Sequence, residues 1–220
     1  MQTVIHLSEA LAQGLVPGWN SGEGDYLLVN PRMGVELRRV AITRDGRPLY
    51  DQWLAVEPVG AATLPIGDDG KIGLVQPWRP VSPVDQPLRS GEVDLSTLGQ
   101  ACWEIPRGFP QLNQSRVESS NLTATRETEE ELGLRVSVAE VLGHYRMNST
   151  FFVNAIPIWY ARVTGEGSAR AGDPNEKILK AQMFDRSAVE QMILAGEISD
   201  GFTLAALTLY DVRRRVDGLL

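Results

Sequence analysis

Glu127, Glu130 and Glu131 stand in i, i+3, i+4 relation within Arg126-Glu127-Thr128-Glu129-Glu130-Glu131-Leu132-Gly133-Leu134. At 3.6 residues per helical turn these side chains converge on one side of a turn, while Glu129 points away. Three carboxylates gathered in this way supply hard oxygen ligands, which Mg²⁺ or Mn²⁺ prefers. The glutamate run by itself also suits a solvated helix face, because like charges at i, i+4 cost only about 0.2–0.5 kcal/mol in water. Arg126 lies four residues before Glu130, the spacing of an ordinary surface ion pair.

The flanking residues define a helix around these groups. Ser119 or Ser120 can cap its first turn, and Gly133 can end it in the left-handed conformation. Leu122, Ala124 and Leu132 offer a thin apolar stripe, which Thr123, Thr125 and Thr128 weaken through lower helix propensity and hydroxyls to satisfy. Such a helix is expected to depend on its loops and a bound ion more than on intrinsic preference.

The stretch resembles the signature of the Nudix hydrolases, in which a glycine and a glutamate precede Arg-Glu-aliphatic-x-Glu-Glu-x-Gly-aliphatic in a loop, helix and loop. Glu118, Arg126, Glu127, Glu130, Glu131, Gly133 and Leu134 fall at the required spacing. Thr128 departs at a normally aliphatic position. Leu112 stands at the glycine spacing, so the counterpart is Gly108 in Trp103-Glu104-Ile105-Pro106-Arg107-Gly108, with four extra residues in the loop Phe109 to Val117. A second alignment keeps Gly108 and puts Gln114 at the glutamate.

The resemblance implies an α+β fold, a Nudix-type α/β/α sandwich with a mixed sheet, preceded by a small antiparallel β-domain. It also implies metal-dependent hydrolysis of the pyrophosphate bond in a nucleoside diphosphate linked to another moiety. Mg²⁺, or alternatively Mn²⁺, would be held by Glu127, Glu130, Glu131 and the Arg107 carbonyl, with Glu118 and Gly108 supporting them. Glu130 and Arg126 join the catalytic set, and Glu176, on the late loop Asp173-Pro174-Asn175-Glu176-Lys177-Ile178, is the candidate general base. Gln76-Pro77-Trp78-Arg79 resembles the strand end of the ADP-ribose pyrophosphatase branch, which makes Arg79 and Glu104 the substrate-binding candidates. Where that branch usually carries a proline after the signature, Asn148-Ser149-Thr150-Phe151-Phe152 stands here, and sugar nucleotides or dinucleoside polyphosphates remain open. The branch further implies a homodimer. Thr128 and the lengthened loop motivate an alternative, a Nudix-derived nucleotide-binding regulatory module without hydrolysis.

Composition bounds the partners. The chain has 220 residues, 43% hydrophobic and 22% charged, which is ordinary for a globular protein. A net charge of −7, with no basic cluster before Arg213-Arg214-Arg215, argues against nucleic acid as a partner. Those arginines suit the end of a C-terminal helix, where cations complement the dipole. No run approaches the roughly 18 apolar residues of a membrane span, and no basic region precedes an apolar one at the N-terminus, so no membrane partner and a cytoplasmic location are expected. A single cysteine, Cys102, excludes an internal disulfide and a cysteine zinc site, and its apolar neighbours mark it as a structural thiol. His6 and His144 are too far apart in sequence to argue for a triad.

Alternating and β-branched runs predict strands at Tyr26 to Val29, Gly34 to Ile42 and Leu49 to Val56, with Asp45-Gly46 between the last two. A strand pair is expected around Asp68-Asp69-Gly70, ending at Arg79, and strands at Val136 to Tyr145 and Ala155 to Val163. Pro80 to Gln100 reads as an irregular excursion and Gly165 to Pro174 as a loop. Ala188 to Leu194 and Leu204 to Val216 show helical spacing. This divides the chain into an N-terminal β-rich domain, 1–57, and the hydrolase-like domain, 58–220.

Overall fold

A computed structural model describes residues 3–6, 26–30, 35–79, 100–113, 116–167 and 178–218. They form two compact units, one of Met1–Val59 with Arg146–Ala155, the other of Gly60–Tyr145 with Ile156–Leu220. The excursion expected at Pro80 to Gln100 lies almost wholly outside the described residues, as do Gln114 and Glu176.

In the first unit β1 (Thr3–His6), β2 (Tyr26–Asn30), β3 (Val35–Arg44) and β4 (Arg47–Val56) form a sheet in chain order. The pairs β2/β3 and β3/β4 are antiparallel as expected, whereas β1 joins β2 in parallel, Thr3 opposite Tyr26. Asp45 and Gly46 both have positive φ, 50° and 74°, the two-residue hairpin conformation whose twist matches the flanking strands. Segment 146–155 runs along β4: the Ala55 N–H donates to the Phe151 carbonyl at 2.7 Å, and the Val153 N–H donates to the Ala55 carbonyl at 3.3 Å.

The second unit is a mixed sheet in the order β11 (Leu134–Tyr145), β12 (Ile156–Glu166), β5 (Ala61–Ile66), β6 (Ile72–Arg79), β13 (Ile178–Phe184). Among the described strands of this sheet only β12 and β5 run parallel. Every residue of β5 is buried, as a strand covered on both faces requires. Because side chains alternate across a sheet, the two faces of β5 separate two layers. Ala62, Leu64 and Ile66 join a core with Ile158, Ile105, Val189, Phe202 and Leu207. Thr63 points the other way, its hydroxyl donating to the Ala124 carbonyl at 3.2 Å. Thus α1 (Ser120–Leu132) covers one face, while α2 (Arg186–Leu194) and α3 (Gly201–Asp217) supply the core of the other. This is the expected α+β sandwich. Edge strand β13 was not foreseen, since Ile178-Leu179-Lys180-Ala181-Gln182-Met183-Phe184 has little alternation and its middle is exposed.

One irregularity of the sheet positions the site. β5 and β6 pair at Ile66 and Ile72, beside their turn, and then splay. Residues 104–108 enter the gap: Val75 and Glu104 exchange both backbone hydrogen bonds, and the Thr63 N–H donates to the Pro106 carbonyl at 2.9 Å. The short β7 (Gln100–Ala101) pairs with β6 and β8 (Arg107–Gly108) with Ala61 and Ala62 of β5, while β9 (Leu112–Asn113) pairs with β10 (Arg116–Val117).

Helix α1 is pressed onto β6 where Gly73 leaves room. A Cβ on Gly73 would crowd Leu132 of α1 and lie 3.2 Å from Met183 Sδ and 3.3 Å from Pro65 Cβ. Gly73→Ala should therefore lower stability by about 1–3 kcal/mol through overpacking, read from the midpoint of a urea titration.

Candidate functional site

Helix α1 is built on threonines rather than leucines. Thr123, Ala124 and Thr128 are fully buried, whereas Leu122, expected in the buried stripe, is 57% exposed. The buried hydroxyls are satisfied, Thr128 donating to the Ala124 carbonyl at 2.7 Å and Thr123 to Glu118 Oε2 at 3.0 Å. Thr128 therefore fits the position without displacing the helix. Ser119 is the N-cap residue but makes no side-chain capping bond, and the first turn is tied instead by Trp159 of β12, whose indole N–H donates to Ser120 Oγ at 2.8 Å. Gly133, at φ 72°, ends the helix, with its N–H on the Glu129 carbonyl at 3.1 Å.

The acidic groups separate by depth. Glu127 and Glu131 are each 7% exposed, and Glu130 lies nearer the surface. Both buried carboxylates meet β8. Glu131 Oε2 accepts from the Arg107 N–H at 3.1 Å, and the Glu127 carboxylate lies where a side chain on residue 108 would stand. Gly108 is thus required by close approach of a carboxylate. Any Cβ there would push Glu127 away, so Gly108→Ala should shift the Glu127 resonances in NMR and lower whatever activity Glu127 serves.

Arg126 binds three carboxylates. Its Nη2 donates to Glu118 Oε2 at 2.9 Å and to the Phe109 carbonyl at 2.8 Å, and its Nε to Glu118 at 3.2 Å. Its Nη1 lies 2.9 Å from Glu127 Oε1 and 3.0 Å from Glu130 Oε2. An ordinary surface pair with Glu130 alone does not describe this network, whose arginine side chain is only 17% exposed. The surrounding anions outweigh the cost of burial and hold the guanidinium pKa above its usual value. Burial favours the neutral form of Glu118, yet hydrogen bonds from Arg126, the Gln111 N–H and Thr123 together hold its pKa below the ordinary 4.5. Below that value the unfolded chain takes up a proton before the folded one does, so this contribution to stability is complete above pH 4.5 and fades as pH falls through the lowered value. Glu118→Gln should flatten that acid limb in a plot of Tm against pH.

A second cluster adjoins the first through Arg107. Glu104, 3% exposed, accepts from Arg107 Nη2 at 2.9 Å and Arg79 Nη2 at 3.4 Å. Arg107 also approaches Asp200 at 3.3 Å and lies over the Phe202 ring, 4.7 Å from its centroid. Asp200 caps α3 by accepting from the Thr203 N–H at 2.9 Å, and the Thr203 hydroxyl accepts from the Ile105 N–H at 3.0 Å. Asp200 and Phe202 were missed from sequence, although Asp200-Gly201-Phe202-Thr203 carries the cap signal of a helix start. Cys102 is no nucleophile, since burial and the neighbouring Glu104 push its pKa up to about 11.

Glu118, Arg126, Glu127 and Glu130 are therefore one network. Glu131 joins it through β8, Arg79 and Glu104 sit on the far side of Arg107, and Glu176 lies outside the described residues. Among the described residues no three acidic, histidine or cysteine side chains are grouped as an ion-binding cage. The donors still suit a hard divalent cation in type, being carboxylate oxygens beside the Arg107–Gly108 backbone.

No family model and no curated protein matches the chain. Among solved structures it is similar to an ADP compounds hydrolase, at 17% identity and a TM-score of 0.60, over 90% of this chain and 95% of that one. The likeness is one of fold. It matches the mixed sheet and helices described above. Among the described residues no helix is long and apolar enough to cross a membrane.

Proposed function

We propose that the protein is a metal-dependent Nudix pyrophosphohydrolase that cleaves the pyrophosphate bond of a nucleoside diphosphate linked to another moiety, with an ADP-ribose-like compound as the favoured substrate. The observation that carries this reading is the pair of buried carboxylates, Glu127 and Glu131, held against the Arg107–Gly108 strand. Burying two acids costs free energy that an apolar pair of similar volume often avoids, so their burial suits a ligand-binding role. The fold shared with an ADP compounds hydrolase points to the same chemistry.

Glu127, Glu130, Glu131 and the Arg107 carbonyl would hold Mg²⁺ or Mn²⁺. Bound there, such an ion would supply charge neutralisation at the phosphoryl oxygens and lower the pKa of a bound water. The chain itself does the rest. Before an ion binds, Glu118 and Arg126 fix the direction of the Glu127 and Glu130 carboxylates. Glu130, the most exposed of the three, would orient water, with Glu176, the candidate base from the sequence, to accept its proton. Arg79 and Arg107 place guanidinium groups beside Glu104, where they can receive the phosphates of a substrate that a chain of net charge −7 would otherwise repel. The same reading has the protein working as a homodimer in the cytoplasm.

The test is incubation with a panel of nucleoside-diphosphate conjugates, ADP-ribose included, with Mg²⁺ and then Mn²⁺, and chromatography of the products. Release of a nucleoside monophosphate is expected, and Glu131→Gln should reduce turnover on the order of a hundredfold or more while the Tm moves little. A Glu131→Gln protein with full activity would remove Glu131 from the site. Nucleotide that binds and stays intact would make the protein a nucleotide-binding regulatory module instead.

A further inference from the structure

The two edges of the Arg126 guanidinium are held differently. Nε and Nη2 are anchored by Glu118 and the Phe109 carbonyl, neither of which belongs to the acidic face of α1. Nη1 alone spans Glu127 and Glu130, at 2.9 and 3.0 Å. These are two of the carboxylates assigned above to the divalent ion, and both their Nη1-bonded oxygens, Glu127 Oε1 and Glu130 Oε2, lie within a single turn of helix.

Resting on that metal assignment, we propose that Nη1 of Arg126 is an exchangeable counter-ion that competes with the divalent cation for Glu127 and Glu130. The geometry makes the exchange local. Nη1 can yield its carboxylates while Nε and Nη2 remain on Glu118 and Phe109, so Arg126 need not leave its place. Like charges one turn apart repel, and a guanidinium shared between them relieves that repulsion until a stronger cation takes over. Competition lowers the affinity for the ion, making occupancy depend on the free ion concentration. An arginine that only oriented the carboxylates would raise the affinity, so the two roles differ in sign.

Arg126→Lys separates them, because lysine keeps the charge but has no planar fork to hold Glu118 and span two carboxylates together. Mn²⁺ binding should be measured by calorimetry on the whole chain, wild type and Arg126→Lys, with the Tm of each recorded first. Competition predicts that the variant binds Mn²⁺ more tightly, by about fivefold to tenfold. Equal or weaker binding by a folded variant would overturn the proposal while leaving the metal site standing. Binding by neither protein would end the metal assignment and the proposal with it. If the variant does not fold, arginine-selective NMR of the wild type with Mg²⁺ reads the same exchange. The Nη1 protons should exchange faster with water while the Nε–H resonance holds its shift, and unchanged Nη1 protons at saturating Mg²⁺ would overturn the idea.

Discussion

Placing the Glu127 and Glu131 carboxylates under the surface of the protein is the constraint on which the second unit is organised. The effective cost of burying a charge is several kcal/mol per ion, and it is offset only by partners in good geometry. Those partners come from three places in the chain. Arg126 neutralises from within the helix, Glu118 and the Phe109 carbonyl hold Arg126 from the preceding loop, and the Arg107 N–H reaches Glu131 from β8. The Glu127 carboxylate and the backbone of residue 108 share a space that admits no side chain, which explains the glycine.

The sheet is shaped to deliver that strand. Had β5 and β6 paired along their length, Thr63 and Val75 would face each other and residues 104–108 would lose the backbone partners they have there. Splaying the hairpin lets the Glu104 to Gly108 segment bond to both strands, Glu104 to Val75 of β6 and residues 106–108 to β5. The opposite layer then braces the segment. Asp200 and Thr203, at the start of α3, bond to Arg107 and Ile105, so one helix start fixes both the side chain and the backbone beside the acids. Two charged clusters, one around Arg126 and one around Glu104, are joined through a single arginine whose backbone serves the first and whose side chain serves the second.

A helix face of small polar residues follows from the same demand. Leucines at 123 and 128 would bury more apolar surface, but the space beneath α1 is filled by Thr63 and the Ala124 carbonyl at short range. Threonine matches valine in size and returns its hydroxyl to the helix backbone, so close approach to β5 leaves no unpaired polar group.

Much of this was legible in the residues alone. The i, i+3, i+4 spacing of the glutamates and the glycine after Leu132 defined α1 to within a residue, because local geometry and a left-handed stop are properties of short sequence. The Asp45-Gly46 hairpin and the strands of the central sheet were equally local in origin, and α+β followed from their order. The depth of each carboxylate was not local, nor was the reason for Thr128, nor the exposure of Leu122, since helical spacing says which residues share a face but not which face the sheet will cover. Edge strand β13 gave no pattern because an exposed strand needs none, and Asp200 joined the site from 93 residues beyond Arg107 through a contact that no spacing encodes. Residue types and their spacing are enough to say which groups can ionise, bend or cap. Which of them meet and lose water depends on the packing of distant segments, because burial and pairing are set by what the rest of the chain lays against them.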